Sequence, residues 1–381
     1  MRINWGLIGG GEGSQIGGAH RIASGLDGAF RLAAGALDVD PNRGRNYAIS
    51  LGIDPDRAYG DWRQMLACEK ARPDRIELVT VATPNSSHFE ISKAFLEGGF
   101  DVLCEKPLTT TVEEAREIVR VAKDNGRICA VNYGYSGYPL IRHARAMVAR
   151  GDLGRIRVVM VEFAHGHHAD ASDSDNPRIR WRYDPMLAGV SSIVADCGIH
   201  ALHLATFVTG QAIQSVSADF VSTIPGRQLE DDAFVAFRMT GGVVGRLWAS
   251  AIAVGRMHGL TIQIFGEKGG LRWHQEQPNQ LYWTPVAGAT TIIERSAAGL
   301  SPEAYRASRL TVGHSEGLLV AFANIYADLA EILLSRKAGI APNPMAWSFP
   351  TALDGLEGVA AVHSAAASAR AEGAWVDLPT G

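Results

Sequence analysis

Several things are scarce in this 381-residue chain. There are four cysteines, Cys68, Cys104, Cys129 and Cys197, and none has Cys-x-x-Cys spacing. That fits the reduced thiols of a cytoplasmic protein better than a disulfide framework. Positive charge is not in surplus: 36 Lys and Arg stand against 40 Asp and Glu, a net charge of −4. Phosphate neutralisation needs a cationic surplus, so no nucleic-acid partner is expected. The N-terminal apolar run is short and ends in glycines, unlike a secretory signal. No stretch reads as the roughly 18–20 apolar residues of a membrane span, so no membrane partner is expected. There is no internal repeat. What remains is ample apolar material, 46% of residues, and a length that suits two domains.

The first third alternates strands with helices. Strands are predicted at Ile3–Ile8, Arg31–Leu37, Ile76–Ala82, Asp101–Cys104 and Ile128–Val131, with helical stretches between them, one around Ser92–Leu96. Repeated β-then-α order predicts a parallel sheet covered on its faces by helices. Thr111-Val112-Glu113-Glu114 has capping-box spacing and opens an amphipathic helix that Gly126 closes. The second half reads differently. Strand-like runs at Ile156–Phe163, Ile213–Val221, Ala233–Met239, Val243–Ala253 and Leu260–Phe265 follow one another, with turn signals at Thr240-Gly241-Gly242 and Glu267-Lys268-Gly269-Gly270. They predict a large, mostly antiparallel open sheet, with helices near 140–150, 197–209 and 316–336. The fold class is therefore α/β: a Rossmann domain over 1–131 and an α+β domain over 132–381. Residues His167 to Arg180 read as a polar loop.

Directly after the first strand comes Gly9-Gly10-Gly11-Glu12-Gly13-Ser14-Gln15-Ile16-Gly17-Gly18-Ala19-His20. Glycines let a backbone approach a pyrophosphate, and the following helix offers N–H groups to the anion. Strict Gly-x-Gly-x-x-Gly spacing fails, because Ser14 holds the third position. Gly17 is the better third glycine, in a loop about three residues longer than standard. The second strand ends in Asp38-Val39-Asp40-Pro41. An acid here can accept from both adenosine ribose hydroxyls and repels a 2′-phosphate, so Asp38 predicts NAD over NADP; a plain turn before Pro41 is the competing reading. Cofactor contacts are expected from Gly9, Gly11, Gly13, Ser14, Gln15, Ile16 and Asp38.

Val81-Ala82-Thr83-Pro84-Asn85 with His88 follows the third strand, and Cys104-Glu105-Lys106-Pro107-Leu108 the fourth. Asp196-Cys197-Gly198-Ile199-His200 lies in the second half. In this order the motifs resemble the signature of the glucose–fructose oxidoreductase/inositol dehydrogenase/MocA (Gfo/Idh/MocA) family along nearly the whole chain. Ile16-Gly17-Gly18-Ala19-His20-Arg21, Tyr135-Ser136-Gly137-Tyr138-Pro139, His200-Ala201-Leu202-His203-Leu204 and Gly313-His314-Ser315-Glu316-Gly317 look like its levoglucosan-dehydrogenase-like branch. His203 stands where many members carry an acid, which argues against a simple inositol-dehydrogenase specificity. The resemblance implies NAD as cofactor and homodimers or homotetramers packed through the open sheet. It adds Thr83, Pro84, Asn85, His88, Glu105 and Lys106 to the cofactor contacts.

The implied chemistry is oxidation of a secondary hydroxyl on a sugar, anhydrosugar or polyol. Hydride leaves to the nicotinamide, and the protein must take the hydroxyl proton. The catalytic candidates are His200 as general base, Asp196 as its partner or a substrate ligand, and Lys106 as an orienting or proton-relay group. Asp196 and His200 are four apart, so one helix would put them on one face. Lys106, Tyr135, Tyr138, Trp181, Arg182, Asp196, His200 and His203 are expected to line a carbohydrate pocket, while Trp273 and Trp283 read as sheet packing. His165-Gly166-His167-His168 with Asp170 lacks a third ligand of fixed geometry, so no metal is expected and these histidines read as substrate-loop or solvent-exposed. Two alternatives share the scaffold. One is a sugar–sugar oxidoreductase or glycosidase that keeps and recycles its NAD. The other is a non-catalytic sugar or cofactor sensor, which would not need Lys106, Asp196 and His200.

Overall fold

The computed structural model describes residues 2–176 and 180–379. The chain divides into two units, Met1–Gly137 with Leu318–Leu356, and Tyr138–Gly317 with Glu357–Gly381. Gly134-Tyr135-Ser136-Gly137 stays with the first unit because Leu318–Ala338 returns to pack on it. A Cβ on Gly134 would come within 2.2 Å of the Phe322 ring, and one on Gly137 within 2.0 Å of the Ala321 carbonyl oxygen.

In the first unit, β1 (Ile3–Gly9), β2 (Phe30–Ala36), β3 (Leu78–Ala82), β4 (Asp101–Cys104) and β5 (Cys129–Val131) form a parallel sheet in the order β2-β1-β3-β4-β5. Every position of β3 and β4 is buried. That is why these strands read as mostly apolar runs, broken only by Thr80 and Asp101, rather than as alternating ones. Crossover helices include α1 (Gln15–Gly25), α2 (Pro41–Ser50), α3 (Trp62–Ala71), α4 (His88–Glu97) and α5 (Val112–Asp124). The capping box of α5 is formed reciprocally: Glu114 N donates to Thr111 Oγ1, and Thr111 N donates to Glu114 Oε2, both at 3.2 Å.

Helix Leu318–Ala338 corrects one expectation. By length and composition it is apolar enough to cross a membrane, and 67% of its apolar window is buried inside the protein. Ile325, Leu329, Ile332 and Leu333 join Ile3, Trp5 and Leu7 in one core cluster. Its apolarity serves that core, because a helix covered on most sides is apolar on most sides.

The second unit holds a nine-stranded sheet. Its strands are β6 (Ile156–Ala164), β7 (Ile213–Val221), β8 (Asp232–Met239), β9 (Val244–Ser250), β10 (Leu260–Gly266), β11 (Gly269–His274), β12 (Gln280–Pro285), β13 (Thr291–Glu294) and β14 (Val376–Asp377). The order is β13-β12-β11-β10-β6-β9-β8-β7-β14, and every neighbouring pair is antiparallel except β6–β9. Burial alternates along β8. Helices α6 (Pro139–Ala149) and Ile199–Thr209 lie on the inner face. On the outer face Phe234, Val244 and Phe265 are exposed. Of the polar stretch 167–180, residues Ala171–Asp175 form a short 3-10 turn, and 177–179 lie outside the described residues.

Candidate functional site

The C-terminal edge of the parallel sheet carries three of the sequence motifs side by side. Gly9 pairs in register with Ala82, and Val81 with Cys104. The glycine turn after β1, Thr83-Pro84-Asn85 after β3 and Glu105-Lys106 after β4 therefore start from neighbouring positions. In open α/β sheets this is the edge where ligands bind.

The glycine turn is packed so closely that side chains are excluded. Gly9 and Gly10 have φ of +75° and +65°. A Cβ on Gly17 would come within 2.4 Å of Gly10 Cα, and one on Gly11 within 2.7 Å of the Leu37 carbonyl oxygen. Gly17, not Ser14, thus makes the close helix–turn contact, while Ser14 caps α1 by accepting from Gly17 N at 3.1 Å. The first N–H groups of α1, at Gln15 and Ile16, have no partner within the helix by geometry and carry the positive end of its dipole. A turn this close to a helix start fits a pyrophosphate. Gly17→Ala is expected to weaken NAD binding by about tenfold or more, because the turn must open around the added methyl. Calorimetric titration checks this against Gly25→Ala, a position in the same helix where an added Cβ meets nothing within 4 Å.

Asp38 stands beside that turn, its Oδ2 3.3 Å from where a Gly11 Cβ would be. Arg43 holds the carboxylate through two bonds, Nε to Oδ2 at 2.7 Å and Nη2 to Oδ1 at 2.6 Å. These bonds keep the Asp38 pKa below the usual carboxylate range. The group is ionised at working pH, as a ribose-hydroxyl acceptor must be.

The other two loops are tied together from below. His88 is fully buried, with Nδ1 2.8 Å from the Pro107 carbonyl oxygen and Nε2 2.9 Å from the Thr83 carbonyl oxygen. Burial lowers its pKa. His88 was expected among the cofactor contacts; the structure corrects this, since both ring nitrogens face main-chain carbonyls and the ring supports the loops instead. Glu105 is also buried. Its carboxylate accepts from His20 and Asn132, and its Oε2 from the Lys106 amide at 3.2 Å. Lys106 is half-buried and precedes a cis peptide bond to Pro107. Tyr135, 9% exposed, belongs to this unit.

In the second unit, Asp196 and His200 do not share one regular α-helix. Asp196 lies in a π-turn, Val194–Gly198, and His200 opens the α-helix Ile199–Thr209. Such turns concentrate at functional sites. Buried Glu230 caps the turn, accepting from Ser191 Oγ (2.6 Å), Ser192 N (2.9 Å) and Val194 N (3.2 Å). Burial raises its pKa against those bonds. Asp196 Oδ2 lies 3.6 Å from Arg182 Nε, and the Arg182 guanidinium stacks on Trp181. Trp181 lines a cleft of about 270 Å³ with Tyr183, Asp184, Leu187 and Arg227. His200 is 8% exposed, its ring 6.2 Å from Phe163, and His203 is buried against Phe207.

Two further expectations change. Tyr138 does not present itself to a ligand: it is 1% exposed and packs on Trp273, with ring centroids 5.2 Å apart. His167 is exposed, but His165 is buried, with Nε2 3.6 Å from Cys197 Sγ. Burial, reinforced by His167 and His168, brings the His165 pKa down to about 4. His258, stacked on Phe163 at 4.5 Å, is lowered by burial to about 4 as well. His165, His258 and Tyr183 thus surround the Asp196–His200 segment as neutral groups, which spacing in the sequence could not reveal. Among the described residues no group of three His, Cys, Asp or Glu could hold a metal ion.

Comparison with known proteins agrees with this geometry. Residues 3–133 match the model of the oxidoreductase family with an NAD-binding Rossmann fold, and residues 141–272 match the GFO/IDH/MocA C-terminal domain. An uncharacterized oxidoreductase of Bacillus subtilis, YfiI, is 36% identical, the alignment covering 99% of this chain and 97% of the relative. The crystal structure of an inositol dehydrogenase homolog from Azotobacter vinelandii complexed with NAD+ superposes with a TM-score of 0.94 at 40% identity, covering 99% and 97% of the two chains. Levoglucosan dehydrogenase of Pseudarthrobacter phenanthrenivorans is 26% identical over 100% of this chain and 99% of its own. The chain therefore belongs to the Gfo/Idh/MocA family and is an NAD-binding oxidoreductase.

Proposed function

We propose that this protein is an NAD-dependent dehydrogenase that oxidises a secondary hydroxyl of a sugar, anhydrosugar or related polyol. The observation that carries the reading is the alignment of the glycine turn, Thr83-Pro84-Asn85 and Lys106 along one strand edge. It supports the reading because Lys106, the candidate proton relay, follows a strand whose end lies on the same sheet edge as the glycine turn. The Azotobacter homolog has also been crystallised with NADH and myo-inositol, which supports a polyol-like substrate. Bound NAD+ would supply the hydride acceptor. The residues would do the rest: Lys106 orients the hydroxyl and relays its proton, His200 acts as general base, and Asp196 orients His200 or holds the substrate. The proposal further takes the protein to be cytoplasmic. It takes the exposed outer face of the nine-stranded sheet, with Phe234 and Phe265, to be covered in a homodimer or homotetramer.

The test is a panel of anhydrosugars, hexoses, glycosides and cyclitols offered with NAD+, with NADH absorbance as the readout. Reduction with one chemical class supports the reading, and none with any of them overturns it. Cofactor choice has its own check. Asp38→Ser removes the charge that would repel a 2′-phosphate and releases the Arg43 guanidinium. The ratio of kcat/KM for NADP+ to that for NAD+ is expected to rise by about tenfold or more. An unchanged ratio would mean that Asp38 does not read the ribose.

A further inference from the structure

The first unit contains a line of buried hydrogen bonds that ends at the Glu105-Lys106 turn. Trp5 Nε1–H donates to Thr80 Oγ1 at 2.8 Å. Thr80 Oγ1 lies 2.9 Å from the Tyr326 hydroxyl, which lies 2.9 Å from His20 Nδ1. His20 Nε2 is 2.9 Å from Glu105 Oε1, and Asn132 Nδ2 donates to the same oxygen at 2.5 Å. Trp5, Thr80, His20, Tyr326 and Asn132 are at most 2% exposed. They come from β1, β3, α1, the helix Leu318–Ala338 and the residue after β5.

The direction of this line follows from chemistry. An indole N–H only donates, and a carboxylate only accepts. In the His20 tautomer that carries its proton on Nε2, one arrangement satisfies every group. Thr80 donates to Tyr326, Tyr326 to His20 Nδ1, and His20 Nε2–H to Glu105. Every proton then points toward the carboxylate. Asn132 and the Lys106 amide can only donate to Glu105, and His20 donates to it in the tautomer that carries its proton on Nε2, so the ionised carboxylate is met by three donors. Burial pushes the Glu105 pKa up, but His20, Asn132 and Lys106 outweigh it and hold the group below its ordinary value. The other titratable groups nearby are neutral at pH 7. Burial pushes the Cys104 thiol up to about 12 and raises Tyr326 well above its usual value, and it lowers His88.

We propose that His20 and Tyr326 are positioning residues for Lys106, holding Glu105 as a buried anion that anchors the Lys106 amide. The proposal rests on the reading of Lys106 as a reaction-site group. The sign is as follows. The ionised form of Glu105 is lost as pH falls through its midpoint. Removing a donor from the line raises that midpoint, so the anchor is lost at higher pH.

The test uses the full ligand-free chain with 13C-labelled glutamate carboxyls and 15N-labelled lysine amides. Glu105→Gln and Lys106→Arg assign the two signals. In the wild type both are expected to titrate together below the ordinary glutamate range. In Tyr326→Phe and His20→Leu both midpoints move up by about one pH unit or more, whereas His20→Gln, which keeps a donor and an acceptor, restores the low midpoint. The acid limb of kcat/KM for whichever substrate the panel identifies moves up with them. A Glu105 that titrates normally in the wild type overturns the proposal. So do midpoints insensitive to Tyr326→Phe, or a Lys106 amide that does not follow Glu105. Failure of the substrate panel would overturn the dehydrogenase reading while leaving both NMR titrations to decide this one.

Discussion

Replacing Lys106 by Ala is expected to lower turnover by about 10²–10⁴ while leaving NAD binding intact. The two effects separate because they arise from different parts of the chain. The proposed pyrophosphate contacts lie in the glycine turn and at the start of α1, where an added Cβ on Gly10 would already lie 2.8 Å from Gly17 Cα. The carboxylate of Asp38 is held by Arg43 alongside. None of this uses the lysine side chain. The turn that carries Lys106 is held through its amide by Glu105, and the substitution leaves that amide in place. What is lost is a cation with mobile donors that can orient a hydroxyl and move its proton. Lys106→Arg keeps the charge but cannot release a proton at working pH, so recovery should be partial at best. His200→Ala is expected to fall in the same range, for loss of the base. Steady-state kinetics with calorimetric NAD titration measures both effects. Near-wild-type rates in both alanine variants would sink the assignment.

Replacing Arg295 by Met should destabilise the protein by about 3–5 kcal/mol, the usual cost of leaving one partner of a buried ion pair uncompensated. The Arg295 and Glu316 side chains are 2% and 1% exposed and 3.2 Å apart. Arg295 also donates to Asn279 Oδ1 at 2.8 Å, to the Leu310 carbonyl at 2.7 Å and to the His314 carbonyl. Glu316 Oε1 accepts from the amides of Arg309 and Leu310 at 2.7 and 2.6 Å. This pair, with the Arg295 bond to the His314 carbonyl, ties the segment Gly313-His314-Ser315-Glu316-Gly317 to the residue that follows β13. Thermal melting should show the loss as a fall of roughly 10 °C. Pairing the variant with Glu316→Leu recovers only part of the loss, since the main-chain carbonyls still lack their donor. A melting point within a degree or two of wild type would show that the pair contributes nothing net.

By itself the sequence determined whatever local spacing encodes. The β-then-α order, the mostly apolar β3 and β4, the capping box at Thr111 and Glu114, and Gly17 as the glycine that meets the turn were legible because each depends on residues a few positions apart. Asp38 and Glu105-Lys106 were legible for the same reason, as they sit at strand ends. The tertiary structure alone decided the rest. Helix Leu318–Ala338 belongs to the first unit, although nearly two hundred residues separate it from Gly137, because its apolar faces need the core around β1. The strands β11 to β14 are short and weakly patterned and exist through their neighbours' pairing. Asp196 lies in a π-turn whose cap, Glu230, is 34 residues on from it. Tyr138 and His88 carry groups suited to ligands, yet packing turned one onto Trp273 and the other onto two carbonyls. The near balance of 36 basic against 40 acidic residues limited the classes of partner. The hydrogen-bonded line from Trp5 to Glu105 lay beyond such reading, because His20 and Tyr326 are 306 residues apart and only the folded chain path makes them neighbours.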